Sequence, residues 1–337
     1  MWLLRIGLVV AAITAAPQSD TPAPPDKASE EYFQRALTLI RQHHRNSSKA
    51  DWAQLIARAR PMLAGASHPA DTYPAIRMVL SILGEHHSFL LPPPASPPLQ
   101  GTSASSTAAA SGAATSPAWH IIAGNIGAVR LPALNTLGPD GPALGKAYAT
   151  AIQTALSEID KNPRLCGWII DLRDNGGGNM WPMLKGLDPL LGTGPFGYFV
   201  QTDGSTQAWQ RSAGNIFPAP EMLPPSSPAF ALKHASTPIA VLIGPQTASS
   251  GEMVAIALIG RQGVRTFGTA SAGFTSGNNV YPLTDGATLV ITEVSVRDRT
   301  GKGYAGPIVP DEQVTPAQIE AAAGRWLARQ CKPAGTP

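Results

Sequence analysis

The chain has 337 residues, 43% of them hydrophobic and only 14% charged, with a formal net charge of +3. That length admits one large domain or two modest ones, and the apolar content excludes a highly charged disordered protein. So small a net charge, from scattered lysines and arginines, gives no basis for a nucleic-acid partner.

The chain opens on "MWLLRIGLVVAAITAAPQSD", one arginine and an apolar run followed by a polar break. The run is short for a bilayer, and Thr14 and Ala16 are small, so residues 1–16 are expected to be a cleaved signal peptide; a short membrane anchor is the alternative. No later stretch reads as membrane-spanning, so a periplasmic or secreted protein without a stable membrane partner is expected. Residues 17–28 form a Pro-rich leader, expected to be flexible. In an oxidising compartment Cys166 and Cys331 can pair, closing a long loop for about 3–5 kcal/mol; two buried thiols are equally compatible with the sequence.

From residue 29 to 91 the apolar spacing is helical. Phe33, Leu37 and Ile40 mark one stripe and Ile76, Leu80 and Leu83 another, with Asp51 and Asp71 at expected N-caps. This predicts a small helical N-terminal domain. Residues 92–117, "PPPASPPLQGTSASSTAAASGAATSP", carry no periodic apolar face and no charge, and read as a low-complexity linker. Over 118–331 the pattern turns to strands alternating with helices. "CGWIIDLR" and "PIAVLIG" are near-continuous apolar strands, which predicts an α/β core with helices packed on a sheet.

Three stretches could carry chemistry. In "WIIDLRDNGGGNMW" a buried strand runs into three glycines, whose backbone can turn its N–H groups onto an anion or form a plain tight turn. There is neither dinucleotide-loop spacing nor a Gly-Lys-Ser/Thr, so no nucleotide cofactor is expected. In "TASSGEMVAIA" a serine stands at a strand-to-helix junction, where a helix N-terminus favours negative charge; Ser249 and Glu252 also fit a capping box. "LGEHHSF" offers two histidines, one a candidate base. No metal-ligand spacing accompanies them.

Together "ILGEHHS", "WIIDLRDNGGGN", "TASSGE" and "YAGPIVPDEQV" resemble the C-terminal processing (tail-specific) serine peptidase family, which also contains the tricorn protease core and the interphotoreceptor retinoid-binding protein. The resemblance covers residues 30–330. It implies a crotonase-like β/α core preceded by a small helical bundle. It places the nucleophile on Ser249, the general base on His87 rather than His86, and the oxyanion hole on the backbone amides of Gly177 and Ser250. Many relatives use a lysine base where this chain has Phe274, so a Ser–Lys dyad is not expected. The orienting residue stays open among Glu293, Tyr304, Asp298 and Glu85. Residues 92–117 leave no room for the PDZ domain usual in processing peptidases.

The implied activity is hydrolysis of peptides or unfolded proteins through an acyl-enzyme, with no cofactor and no metal. Two alternatives share the core: an inactive binding protein holding a peptide or apolar ligand, and an acyl-CoA enzyme, which suits export poorly. The sequence is silent on cleavage specificity and oligomeric state.

Overall fold

A computed structural model describes residues 23–84, 86–93, 116–212, 215–217 and 231–331. The expected signal peptide, the first part of the leader and all but the ends of the 92–117 linker lie outside them.

Helix α1 (Lys27–His43) starts where the Asp26 carboxylate accepts the Ser29 amide at 2.7 Å, inside the expected leader. Its stripe of Phe33, Leu37 and Ile40 is buried. Asp51 caps α2 (Trp52–Ala59) by accepting the Gln54 amide at 3.0 Å, as expected. Asp71 does not cap α3 (Tyr73–Ile82). It accepts the amides of Ser67 and His68 in a preceding 3-10 turn, and Thr72 precedes the helix, which has proline in its first turn. Proline suits that place because the first helical amides have no intrahelical acceptor.

Strand β1 (Phe89–Leu91) leads out of the helices. The remaining elements are β2 (Ala118–Ile122), β3 (Ile126–Arg130), α4 (Gly141–Asp160), β4 (Gly167–Asp171), α5 (Met180–Leu187), β5 (Gly197–Val200), β6 (Thr206–Ser212), β7 (Asn215–Phe217) and β8 (Ile239–Ile243). They continue through α6 (Ser250–Leu258), β9 (Val264–Gly268), β10 (Ser276–Pro282), β11 (Thr288–Asp298), β12 (Gly303–Tyr304), β13 (Glu312–Gln313) and α7 (Ile319–Gln330).

The inner sheet runs β13-β9-β8-β4-β3-β2, parallel except for the antiparallel β2. Alternation along its central strands divides two cores. Trp168, Ile170, Ile239, Val241 and Ile243 face the cluster that holds residues of α4, α5 and α6, whereas Ile169, Ala240 and Leu242 face Ile319, Trp326 and Leu327 of α7. Burial on both faces is why these strands read as unbroken apolar runs. Helix α7 docks closely because Gly167 carries no side chain: a Cβ there would stand 2.7 Å from Leu327. Its end is tied to the sheet by a Cys166–Cys331 disulfide, with Cα atoms 5.4 Å apart and a sequence separation of 165.

The outer sheet is antiparallel, ordered β1-β11-β5-β6-β7, with β10 and β12 also paired to β11. Leu289 and Ile291 of β11 share a core with Phe33, Ile40 and Ile76, while Val296 belongs to the main core. The N-terminal helices are therefore packed onto the outer sheet and share its core. This long strand fixes the helical front of the chain against the α/β core, and with it the segment that carries His87. No helix among the described residues is long and apolar enough to cross a membrane.

Candidate active site

Ser249 is the residue immediately before α6, in the loop that leaves β8. Thr247 Oγ1 donates to the Leu172 carbonyl at 2.8 Å, and the Ala248 amide donates to the Asn175 carbonyl at 2.9 Å. The loop is thus tied to the turn that follows β4. Ser249 itself adopts φ 50° and ψ −116°, one of two non-glycine residues with positive φ among those described. Such backbone costs on the order of 1–3 kcal/mol and persists only where its surroundings enforce it.

Glu252 does the enforcing. Its Oε2 accepts the Ser249 amide at 2.8 Å, while Oε1 accepts the Ser271 hydroxyl at 2.5 Å and the Gly273 amide at 2.8 Å. Cap and candidate nucleophile are thus compatible roles: Ser249 and Glu252 form a capping box, and the serine hydroxyl also contacts His87. Burial pushes the Glu252 carboxyl above its ordinary 4.5, outweighing the donors that pull it down. The folded state therefore retains a proton that the unfolded chain loses at 4.5, so the stability this group contributes falls as pH rises above that value. A Glu252→Gln variant should lose this component, seen as a flatter dependence of urea midpoint on pH than in the wild type.

The glycine turn lies against the serine. A Cβ on Gly177 (φ 111°) would stand 2.9 Å from Ser249 Cβ, and one on Gly178 (φ 110°) only 1.9 Å from the Leu134 carbonyl oxygen. Close approach and positive φ both demand glycine here. The Gly177 amide is occupied, donating to Asn175 Oδ1 at 3.1 Å. The amides of Gly178 and Ser250 donate to no group among the described residues.

His87 arrives from the other direction, two residues before β1. The Asn278 side chain donates to the His87 carbonyl at 2.9 Å and accepts from Thr292 Oγ1 at 2.7 Å; the Thr292 amide donates to Ser88 Oγ at 2.9 Å. A register shift in β10 between Gly277 and Asn278 places Asn278 for this latch. The imidazole is 93% buried, with Nε2 2.9 Å from Ser249 Oγ and Nδ1 2.8 Å from Ser276 Oγ. The Phe274 ring packs beside it at 5.2 Å between centroids. Residues 162 positions apart are joined by one hydrogen bond.

A sequence model described as peptidase family S41 matches residues 125–314, more than half of the chain. The chain belongs to peptidase family S41. It is thus a member of a serine peptidase family, and the relatives agree over most of its length. The nisin-resistance protein of Lactococcus lactis subsp. lactis is 29% identical over 304 residues, covering 90% of this chain and 88% of that protein. A lipoprotein structure from Streptococcus agalactiae superposes with a TM-score of 0.72 at 22% identity, over 95% of this chain and 100% of that one. The photosystem II D1 C-terminal processing protease superposes with a TM-score of 0.57 at 18% identity, over 86% of this chain and 94% of that one. These structures share the mixed α/β fold with its N-terminal helices.

In this S41 chain the four orienting candidates fare differently. Glu293 accepts from the Tyr281 hydroxyl and from Asn279 Nδ2 at 2.7 Å, and approaches His43 Nδ1 at 3.3 Å. Tyr304 donates to Asp298 Oδ2 at 2.8 Å, and burial together with that neighbour raises the pKa of the Tyr304 hydroxyl above its ordinary value. None of these three contacts His87 Nδ1, where Ser276 sits; Glu85 lies outside the described residues. His86 is exposed. Ser276 went unnoticed in the sequence because a serine at the start of a strand is ordinary; only strand register brings it to the imidazole.

Ser249 and His87 open onto a cavity of about 540 Å³ that Gly178, Ser250 and Ser276 also line. The aromatics of "GYFVQTDGSTQAWQ" serve two ends. Phe199 and Trp209 pack edge-to-face at 4.9 Å within the β5–β6 hairpin, as expected, and Phe199 also lines this cavity.

Proposed function

We propose that the chain is a serine peptidase that hydrolyses peptide bonds through an acyl-enzyme on Ser249, with His87 as general base. The observation that carries this reading is the 2.9 Å contact between His87 Nε2 and the hydroxyl of a serine held in strained backbone. Nε2 accepts the Ser249 proton as Oγ adds to the substrate carbonyl. Nδ1 therefore carries a hydrogen and donates it to Ser276 Oγ. Collapse of the tetrahedral intermediate expels the amine, which takes the proton from Nε2; water, deprotonated by the same nitrogen, then releases the acid and restores the serine.

The amides of Ser250 and Gly178 are the oxyanion donors in this reading. Gly178 replaces Gly177, whose amide is occupied by Asn175. Each such donor is worth on the order of 2.7–4 kcal/mol of barrier. The βαβ order of the inner sheet supports a crotonase-like core. The export signature, the disulfide and the likeness to a lipoprotein support an extracytoplasmic location. Phe274, at the lysine position of other relatives, packs the imidazole, consistent with a histidine-based site.

Purified protein is expected to degrade casein, and His86→Ala to leave that activity in place; intact casein after prolonged incubation with folded wild-type protein refutes the proposal. Ser276 is a positioning residue here. A net neutral hydrogen bond is worth about 1 kcal/mol, so Ser276→Ala should lower kcat about five- to tenfold with KM nearly unchanged, and Ser276→Thr should restore most of the loss. Equal kcat in Ser276→Ala would remove that role.

A further inference from the structure

Building on the peptidase reading, we propose that the cavity selects uncharged or cationic apolar peptide segments and cleaves them without reading a chain end, and that Glu293 turns acidic side chains away. The walls are dominated by Phe89, Leu137, Trp181, Phe199, Met253 and Val280, and their other polar contributors are neutral amides and hydroxyls. Apart from His87, which the chemistry uses, no lysine, arginine or histidine lines the cavity among the described residues. An enzyme that trims from the carboxyl end must compensate the α-carboxylate with a cation or a nest of amides. Among the described residues the cavity offers no such cation, and the amides of Gly178 and Ser250 are committed to the oxyanion. A substrate carboxylate drawn in would be desolvated without a partner, which the free peptide in water avoids.

Glu293 sharpens this selection. Among the described residues it is the one carboxylate on the cavity wall, and its side chain is 19% exposed. Its hydrogen-bond donors, Tyr281 and Asn279, are neutral and hold the group in place without cancelling its charge. Beside it, His43 on α1 is the group whose protonation could offset that charge, at 3.3 Å. An Asp or Glu of the substrate therefore meets a fixed like charge in an apolar setting, whereas Lys or Arg meets a counter-ion. Discrimination of this kind comes from the repulsive element as much as from the attractive one.

The test is a series of quenched apolar peptides with cleavage mapped by mass spectrometry. Members differ by Asn or Asp beside the cut bond, and by a free or amidated carboxyl terminus two residues beyond it. We expect Asn to exceed Asp by about tenfold in kcat/KM and amidation to change the rate by less than about threefold. In Glu293→Gln the Asn-to-Asp ratio should shrink to below about threefold, while Glu293→Asp keeps it. A tenfold preference for the free carboxylate in wild-type protein overturns the inference, and so does an Asn-to-Asp ratio that Glu293→Gln leaves unchanged. The wild-type arms decide the matter even if the glutamine variant fails to fold. Casein degraded with every peptide intact overturns this selectivity alone; casein and peptides both intact overturn the peptidase reading beneath it.

Discussion

Ser249→Ala is expected to lower kcat/KM by about four orders of magnitude or more, and His87→Ala nearly as far. The double variant should be no slower than the worse single one. The reason is geometric: the two side chains touch at 2.9 Å, and neither performs its step without the other. An unassisted serine hydroxyl is a weak nucleophile at neutral pH, and a base with no serine beside it has no proton to take. Additive losses in the double variant would mean that the two act separately. Independent mutants should also keep their fold, because the surroundings are held by other groups: Glu252 fixes the serine backbone and Asn278 the histidine carbonyl. Circular dichroism and melting temperature check that a lost rate is lost chemistry.

Breaking the disulfide should have the largest effect on stability. A cross-link spanning 165 residues removes denatured-chain entropy worth about 5 kcal/mol in the loop-closure picture. Reductant, or a Cys166→Ser and Cys331→Ser pair, should therefore lower the melting temperature by about 7 °C. The bond anchors α7 on the sheet face opposite α6, so Ser249 should react normally in reduced protein kept below its new transition. An unchanged melting temperature in reductant would show that α7 is held by Ile319, Trp326 and Leu327 alone.

The inner sheet was legible because both faces are buried: unbroken apolar strands between helical patterns admit few other readings. The stretches that hold Ser249 and His87 stand out in the sequence through motif order. Neither stretch decides alone, since Ser249 is also a helix cap and His87 has a histidine neighbour. What escaped reading depends on register and on who occupies which amide. Ser276 and Asn278 reach the histidine through the pairing of β10 with β11 and one irregularity in it. Gly177 and Gly178 are chemically identical in sequence, and only the Asn175 side chain separates the occupied amide from the free one. Glu293 is a reasonable orienting candidate by position, yet its carboxylate is held by Tyr281, Asn279 and His43 and not by the imidazole. The contribution of distant β11 to the core of the front helices, through Leu289 and Ile291, is likewise a matter of pairing that helical spacing alone does not carry.

The central claim is that the buried imidazole activates Ser249, and covalent labelling reads this directly. Native protein treated with a fluorophosphonate should carry one adduct, mapped by peptide mass spectrometry to Ser249, and His87→Ala should abolish it while His86→Ala does not. An unlabelled Ser249 in folded wild-type protein, or labelling that survives His87→Ala undiminished, would contradict the account.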